Sequence, residues 1–353
     1  MIQPIAINGT FIGKDYPPYI VAEISGNHNG SLSQALELIT QAKNAGADAV
    51  KLQSYTPDSI TIDHDAPEFL VKSGLWKGRT LYELYQQAHT PPEWHKTLVD
   101  HAKSINITLF SSPFDETAVD FLEALNMPAY KIASPEIVDL NLIEKCAKTG
   151  KPLIISTGMA NLDEIDEALA MAYESGANQI VLLHCVSAYP TPIEQSNLYA
   201  ILELRKKFKL QIGLSDHTKD IRAATVSIGL GAVLIEKHLT LSRSNGGVDN
   251  AFSLEPKEFK DLVLTTKLAY SALGSSTSTT DKVETEMLFA RRSLYIVANV
   301  KEGEVFTKKN IRSIRPNLGL RPKYLKTILG KRATRDIKRG EPVNLEMVRD
   351  SGH

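Results

Sequence analysis

Three stretches of this chain share one construction. In "AGADAVKLQ" (45–53), "SGANQIVLL" (175–183) and "LGAVLIEKH" (230–238), a glycine that ends a helical pattern leads within a few residues into an apolar strand. Glycine tolerates the left-handed conformation that closes a helix, and an unbroken apolar run suits a strand covered on both faces. The repeat therefore points to stacked αβ units with parallel strands. The first unit follows the same logic. "YIVAEI" reads as a buried strand, and Ser31 with Gln34 three residues on makes a capping box. Leu32, Ala35, Leu36 and Ile39 then follow at helical spacing, and Gly46 supplies the stop.

Taken along the chain, the pattern predicts strands near 19–23, 48–52, 107–111, 129–132, 152–155, 179–184, 210–214 and 233–237. Helices fall near 31–45, 92–104, 115–125, 139–149, 161–174, 195–208, 219–229 and 256–272. Eight alternations imply an α/β chain closed as a (β/α)8 TIM barrel over residues 1–273. An open doubly wound sheet is the alternative, but no Gly-x-Gly-x-x-Gly opens any helix. The polar stretch "GSSTSTTDKVETE" (274–286) reads as a linker. Beyond it, "VKEGEVFTKKNI" (300–311) and "IKRGEPVNLEMV" (337–348) align without gaps, which predicts a small domain over 287–353 built of two pseudo-symmetric halves.

Charge separates the two parts. Residues 285–353 carry 16 Lys and Arg against 7 Asp and Glu, whereas the whole chain has a formal net charge of -1. A basic module docking on an acidic body fits this asymmetry. A nucleic-acid arm fits less well, because the basic residues are dispersed and no recognised binding signature accompanies them. No apolar run approaches a membrane span, and the first residues lack a basic region followed by a long apolar core, so the expected location is the cytoplasm. Cys146 and Cys185 are too few for a disulfide framework and read as buried free thiols.

In a barrel of this kind the C-terminal strand ends build the active site. Polar residues crowd there: Glu23, Lys51, Gln53, Ser111, Ser112, Lys131, Ser134, Glu136, Ser156, Thr157, His184, Ser187, Ser215, Asp216, His217, Lys237 and His238. His217 and His238 end the neighbouring seventh and eighth strands, and closure brings the first strand, with Glu23, alongside. Two neutral imidazoles, completed by water and substrate oxygens, suit Mn²⁺ or a similar divalent ion such as Mg²⁺ or Co²⁺, with Glu23 free to act as a base. A single strand-end histidine would more simply be a packing residue; it is the pair that argues for metal. Lys51 and Lys131, one strand apart among Ser112, Ser134, Ser156, Ser187 and Ser215, make a phosphate or carboxylate site. The competing readings are lysines paired with an acid such as Glu136, and a Schiff-base lysine.

These segments also carry a resemblance. "AEISGNHNG", "DAVKLQSYTPDS", "FSSPFDE", "YKIASPE", "STGM", "LLHCVSAYPTP", "GLSDHT" and "IEKHLT" together resemble the sialic acid synthases over nearly the whole chain, in order. The C-terminal halves with "RPNLGL" resemble that family's antifreeze-like (SAF) domain, a β-rich module. "GLWKGRTLYELYQQAHTPPEWH" (74–95) resembles the pseudaminic branch, and Ser187 and Pro135 stand where the sialic branch more often has Asn and Gly. The resemblance implies condensation of phosphoenolpyruvate with a 2,4-diacetamido-2,4,6-trideoxy-altrose to give pseudaminic acid and phosphate by C–O cleavage. A neuraminic or legionaminic acid synthase is the nearest alternative.

On that implication Lys51, Lys131 and the five serines contact phosphoenolpyruvate. The metal sits on His217 and His238, and Glu23 deprotonates the water that adds at C2. Gln53, Tyr189 and Asp249 bind the sugar. Arg315 of "RPNLGL" reaches a partner's site in a homodimer with exchanged SAF domains. Trp76, Tyr82, Tyr85 and Trp94, in the segment after the second strand, form either a surface hairpin or an aromatic wall suited to a 6-deoxy sugar.

Overall fold

In the computed structural model, residues 2–274 and 282–350 are described, so 275–281 of the expected linker lie outside the described residues. The chain divides into two units, Met1–Gly274 and Ser275–His353.

The first unit is the expected barrel. Its strands are β3 (Tyr19–Glu23), β4 (Ala49–Ser54), β5 (Thr108–Pro113), β6 (Tyr130–Ile132), β7 (Leu153–Ser156), β8 (Ile180–Cys185), β9 (Gln211–Asp216) and β10 (Leu234–His238). They form a closed parallel barrel, with β10 pairing β3 so that His238 lies opposite Glu23. Helices α1 (Leu32–Ala45), α2 (Leu81–Ala88), α3 (His95–Ser104), α4 (Glu116–Ala124), α5 (Leu140–Ala147), α6 (Leu162–Glu174), α7 (Ala200–Phe208), α8 (Arg222–Gly229) and α9 (Pro256–Ala272) lie between and after the strands.

Several local expectations change, among them the appearance of helix α2 after β4, which the helical pattern did not predict. The Ser31 hydroxyl accepts from the Gln34 amide, but the Ser31 amide donates to the His28 carbonyl at 2.9 Å, so the reciprocal arm of the capping box is absent. Helix α7 starts at Ala200 rather than 195, because Asn197 adopts φ 44° and a helix cannot run through that conformation.

Strand alternation sorts the residues into layers. Outward-facing Ile20, Leu52, Leu109, Ile132, Ile155, Leu182, Ile212 and Ile235 pack beneath the helices in the larger core. Inward-facing Val21, Ala49, Phe110, Ala129, Ile154, Val181 and Leu234 form a second core. Ile5, Ile7 and Ile12 join this inner cluster from a short antiparallel hairpin, β1 (Ile5–Ile7) and β2 (Thr10–Ile12), which the strand pattern did not reveal. The inner layer one step further toward the strand C-termini is Glu23, Lys51, Ser112, Lys131, Ser156, Ser215 and Glu236, all buried. Apolar filling at one end thus leaves the polar site at the other. Gly213 occupies an inward position where a β-carbon would collide with the Leu234 carbonyl and the Leu183 side chain.

The second unit has the internal symmetry read from its repeat. Strands β11 (Ser293–Ile296) and β12 (Ile311–Ile314) pair Tyr295 with Arg312 and Ile296 with Ile311; β13 (Arg332–Ala333) and β14 (Val348–Arg349) pair Arg332 with Arg349 and Ala333 with Val348. Each residue of the second set stands 37 places after its counterpart. The pairs Tyr295–Pro342 and Val305–Arg332 exchange partners by the same shift, and Val300 pairs with its own equivalent, Ile337. Even the turns repeat: the Lys301 amide donates to Glu304 at 2.8 Å and the Lys338 amide to Glu341 at 2.7 Å. Lys282–Glu286 at the start of this unit, α10, is helical.

Candidate active site

A cavity of about 430 Å³ opens among residues of the strand C-terminal ends. Its polar lining residues include Lys51, Gln53, Lys131, Ser134, Glu136, Ser156, Cys185, Tyr189, Ser215, His217, Glu236, His238 and Asp249. Ser112, opposite Gln53 in the β4–β5 register, is buried, and its Oγ has no hydrogen-bond partner among the described residues. Ser187 lies beside Ser134 at Gly158, where a β-carbon would collide with both hydroxyls. The Ser134 Oγ accepts the Gly158 amide at 3.1 Å. Arg315 is exposed and follows β12 in the second unit.

The two lysines differ. Lys51 Nζ lies 2.8 Å from Glu23 Oε2 and 2.8 Å from Glu236 Oε1, and burial pulls it down to about 8. Lys131 is 1% exposed, and its ammonium donates to its neighbour's carbonyl, Ile132 O, at 2.9 Å. Among the described residues no carboxylate forms an ion pair with Lys131, which runs against the reading that Glu136 neutralises it. A buried ammonium beside the unpartnered hydroxyls of Ser112 and Ser156 leaves room for an anion.

The expectation of a free Glu23 does not hold in this geometry. Its second oxygen accepts the Ser25 amide at 2.8 Å, and the side chain is fully buried. Glu236 is the cavity-facing carboxylate that sequence reasoning passed over. It stands in the middle of an apolar run, but it is two residues before His238 and therefore on the same strand face, a signal that alternation could have supplied. Burial alone would raise its carboxyl; Lys51 and Lys131 outweigh burial and hold it well below the usual carboxylate range. Burial pushes Glu136 up to about 7 and also raises Asp249.

Alternation also removes candidates. Lys237 points away from the cavity and pairs with Asp216 at 2.8 Å, while His184 Nε2 lies 2.8 Å from the Ser196 carbonyl. Neither lines the cavity.

The rings of His217 and His238 lie 5.3 Å apart. His217 Nδ1 is 3.1 Å from the Val186 carbonyl, an acceptor only, so Nδ1 carries the hydrogen and Nε2 keeps its lone pair. His238 Nδ1 is 3.3 Å from Ser25 Oγ and 3.9 Å from Asp249 Oδ2. Burial, with His217 and Lys51 nearby, holds His238 well below the usual histidine value and therefore neutral. Burial opposes protonation of His217 as well, but Cys185 and the Val186 carbonyl outweigh it and raise the ring. Two imidazoles whose Nε2 has no partner among the described residues fit a divalent ion. Among the described residues no set of three or more His, Cys, Asp or Glu side chains has metal-binding geometry, so water and substrate oxygens would complete the shell.

Of the four aromatic residues singled out after the second strand, Trp76 and Tyr85 line the cavity. Trp94 instead packs edge-on against His28 and joins the barrel core.

The chain matches the NeuB family over residues 38–278 and the SAF domain over 291–349. It is 45% identical over 328 residues to a pseudaminic acid synthase of Campylobacter jejuni, covering 93% of this chain and 95% of that protein. An N,N'-diacetyllegionaminic acid synthase of the same organism is 38% identical, with 91% and 97% covered. Among solved structures, the N-acetylneuraminic acid synthetase of Leptospira borgpetersenii in complex with citrate superposes with a TM-score of 0.74 at 32% identity, covering 82% of this chain and 96% of that one. With a family match over most of the barrel, followed by the SAF match, this chain belongs to the NeuB family, the sialic acid synthases.

Proposed function

We propose that this chain condenses phosphoenolpyruvate with 2,4-diacetamido-2,4,6-trideoxy-altrose to form pseudaminic acid and phosphate, as a pseudaminic acid synthase does. The observation that carries the reading is Lys131: a buried ammonium without a carboxylate partner, beside unpartnered serine hydroxyls, at the end of a cavity that also holds two imidazoles.

Lys51, Lys131 and Ser112, Ser134, Ser156, Ser187 and Ser215 would hold the phosphate and carboxylate, while Gln53, Tyr189 and Asp249 hold the open-chain sugar. His217 and His238 would hold a divalent metal, Mn²⁺ in our reading, which when bound supplies Lewis acidity to the aldehyde oxygen. The chain's residues align C3 of the enol ether with the aldehyde carbon. As the new C–C bond forms, C2 takes up water, and the tetrahedral adduct releases phosphate by breaking its C–O bond. Glu23 would accept the water's proton once Lys51 turns toward the incoming phosphate and leaves the carboxylate. A Schiff-base route through Lys51 is disfavoured, because its Nζ is held between two carboxylates.

The same reading places the reaction in the cytoplasm and pairs two chains as a homodimer with exchanged SAF domains, Arg315 of one chain completing the partner's site. Among the described residues no helix is long and apolar enough to cross a membrane. Phosphate release from phosphoenolpyruvate, measured across a panel of N-acetylated hexoses, tests the function. Turnover with the altro-trideoxy sugar is expected; preferred turnover of the legionaminic or neuraminic precursor would replace this reading with that of the corresponding synthase.

A further inference from the structure

The cavity lining is of two kinds. Besides the lysines and imidazoles it includes the apolar residues Ile60, Trp76, Leu84, Ala88 and Val248. Leu84, Ala88 and Val248 form an apolar cluster separate from both barrel cores, with Val71 and Trp76 packed against it. This wall is built to stay put. The Trp76 indole donates to the Val248 carbonyl at 2.8 Å, tying the segment after β4 to the loop after β10. Val71 and Arg79 close a short turn that contains Trp76, the Val71 amide donating to the Arg79 carbonyl at 2.9 Å. Gly26 approaches so near to Ala88 that a β-carbon there would meet the Ala88 backbone at 3.0 Å. A hairpin that only packed on the barrel would turn these side chains into the core; here they line the same cavity as the lysines and imidazoles.

The wall is linked to the imidazoles through one ring. Tyr189 lies 4.4 Å from the His217 ring and 5.6 Å from the Trp76 ring. A six-carbon chain with its aldehyde at the imidazoles reaches roughly 6 Å to its last carbon, given five bonds of about 1.5 Å. The proposed pose sets the sugar's far end against Trp76. That side has no spare side-chain donor on these five residues, since the indole N–H is already used by Val248.

Resting on the substrate reading above, we propose that Trp76, Leu84 and Val248 are specificity-determining residues that receive the C6 methyl of a 6-deoxy sugar and disfavour a C6 hydroxyl. A methyl gains contact with the indole and leucine faces. A hydroxyl in its place would find no hydrogen-bond partner on Trp76, Leu84 or Val248.

The test compares kcat/KM of the native enzyme for 2,4-diacetamido-2,4,6-trideoxy-altrose and for the same sugar with its C6 hydroxyl restored, alongside Trp76→Gln and Leu84→Gln. The native enzyme should favour the 6-deoxy sugar by about 100-fold, the scale on which an apolar pocket rejects an added hydroxyl. Each glutamine variant should narrow that ratio by about tenfold, the equivalent of one recovered hydrogen bond. Equal use of both sugars by the native enzyme overturns the proposal even if neither variant folds. Folded variants that lose activity on both sugars in the same proportion overturn it too. If neither sugar is consumed but another hexose is, the substrate reading fails, and this inference fails with it.

Discussion

Lys51 meets Glu236 at 2.8 Å although their strands are not neighbours: β3 lies between β4 and β10, and the two side chains join across the barrel interior. Glu23 on that intervening strand completes the cluster. One ammonium thus compensates two buried carboxylates. Lys51→Ala should destabilise the folded protein by about 3–5 kcal/mol, the cost of leaving buried charge uncompensated. Urea unfolding monitored by circular dichroism measures this, and a loss below about 1 kcal/mol would place the cluster in a far wetter setting than its burial indicates.

Gly158 lies where the Ser134 and Ser187 hydroxyls converge. Its amide already donates to Ser134, so a methyl at this position must displace both hydroxyls. Gly158→Ala should raise the KM for phosphoenolpyruvate by about tenfold or more, equivalent to losing one or two charge-assisted hydrogen bonds. The KM for the sugar should change far less. An effect confined to the sugar would reverse the two subsites.

Glu136 lines the cavity, and burial raises its carboxyl from 4.5 to about 7. Between those pH values the folded protein keeps a proton that the unfolded chain has lost, so this group's contribution to stability falls as pH rises through that window. The cavity also gains a negative charge as pH passes about 7, next to the site proposed for an anion. kcat/KM should fall as pH rises through about 7, and the Glu136→Gln variant should lack that limb. An unchanged limb in the variant would assign the ionisation elsewhere.

Exhaustive chelation should abolish turnover, with Mn²⁺ or another divalent ion restoring it. His217→Ala should stay inactive at metal concentrations that saturate the native enzyme. Calorimetric titration of the native protein with Mn²⁺ gives a readout independent of activity, and binding should weaken markedly on replacing either histidine. Full turnover after verified metal removal would sink the proposed role of the pair.

Mixing His217→Ala subunits with Arg315→Ala subunits tests the exchanged dimer. If Arg315 serves the partner's barrel, each mixed dimer holds one intact site, and random reassortment should recover about a quarter of native activity. No recovery after verified subunit exchange would mean that each SAF domain serves its own barrel.

Much of the barrel could be read locally because each unit declares itself within about thirty residues: an apolar strand, a capped helix and a closing glycine. His217 and His238 stood out because each follows such a strand in the same way. Glu236 did not, since one carboxylate inside "LIEKH" looks like an interruption of the strand until its alternation with His238 is considered. The hairpin of β1 and β2 was missed for a different reason. Its strands are three residues each, too short for a period of two to declare itself, and their isoleucines are buried only because the closed barrel offers an open end to fill.

The order of the eight barrel strands, their closure and the repeat in the second unit were determined by the sequence alone, because hydrophobic periodicity and glycine stops act over short spans. The tertiary structure alone decided which polar residues meet. It joined Lys51 to Glu23 and Glu236, left Lys131 without a carboxylate, and turned Lys237 and His184 away from the cavity. It also put Trp76 at the cavity and Trp94 in the core, although both sit in the same aromatic-rich segment. The physical reason is that ion pairing and desolvation depend on distances between strands far apart in sequence, and those distances exist only once the barrel has closed.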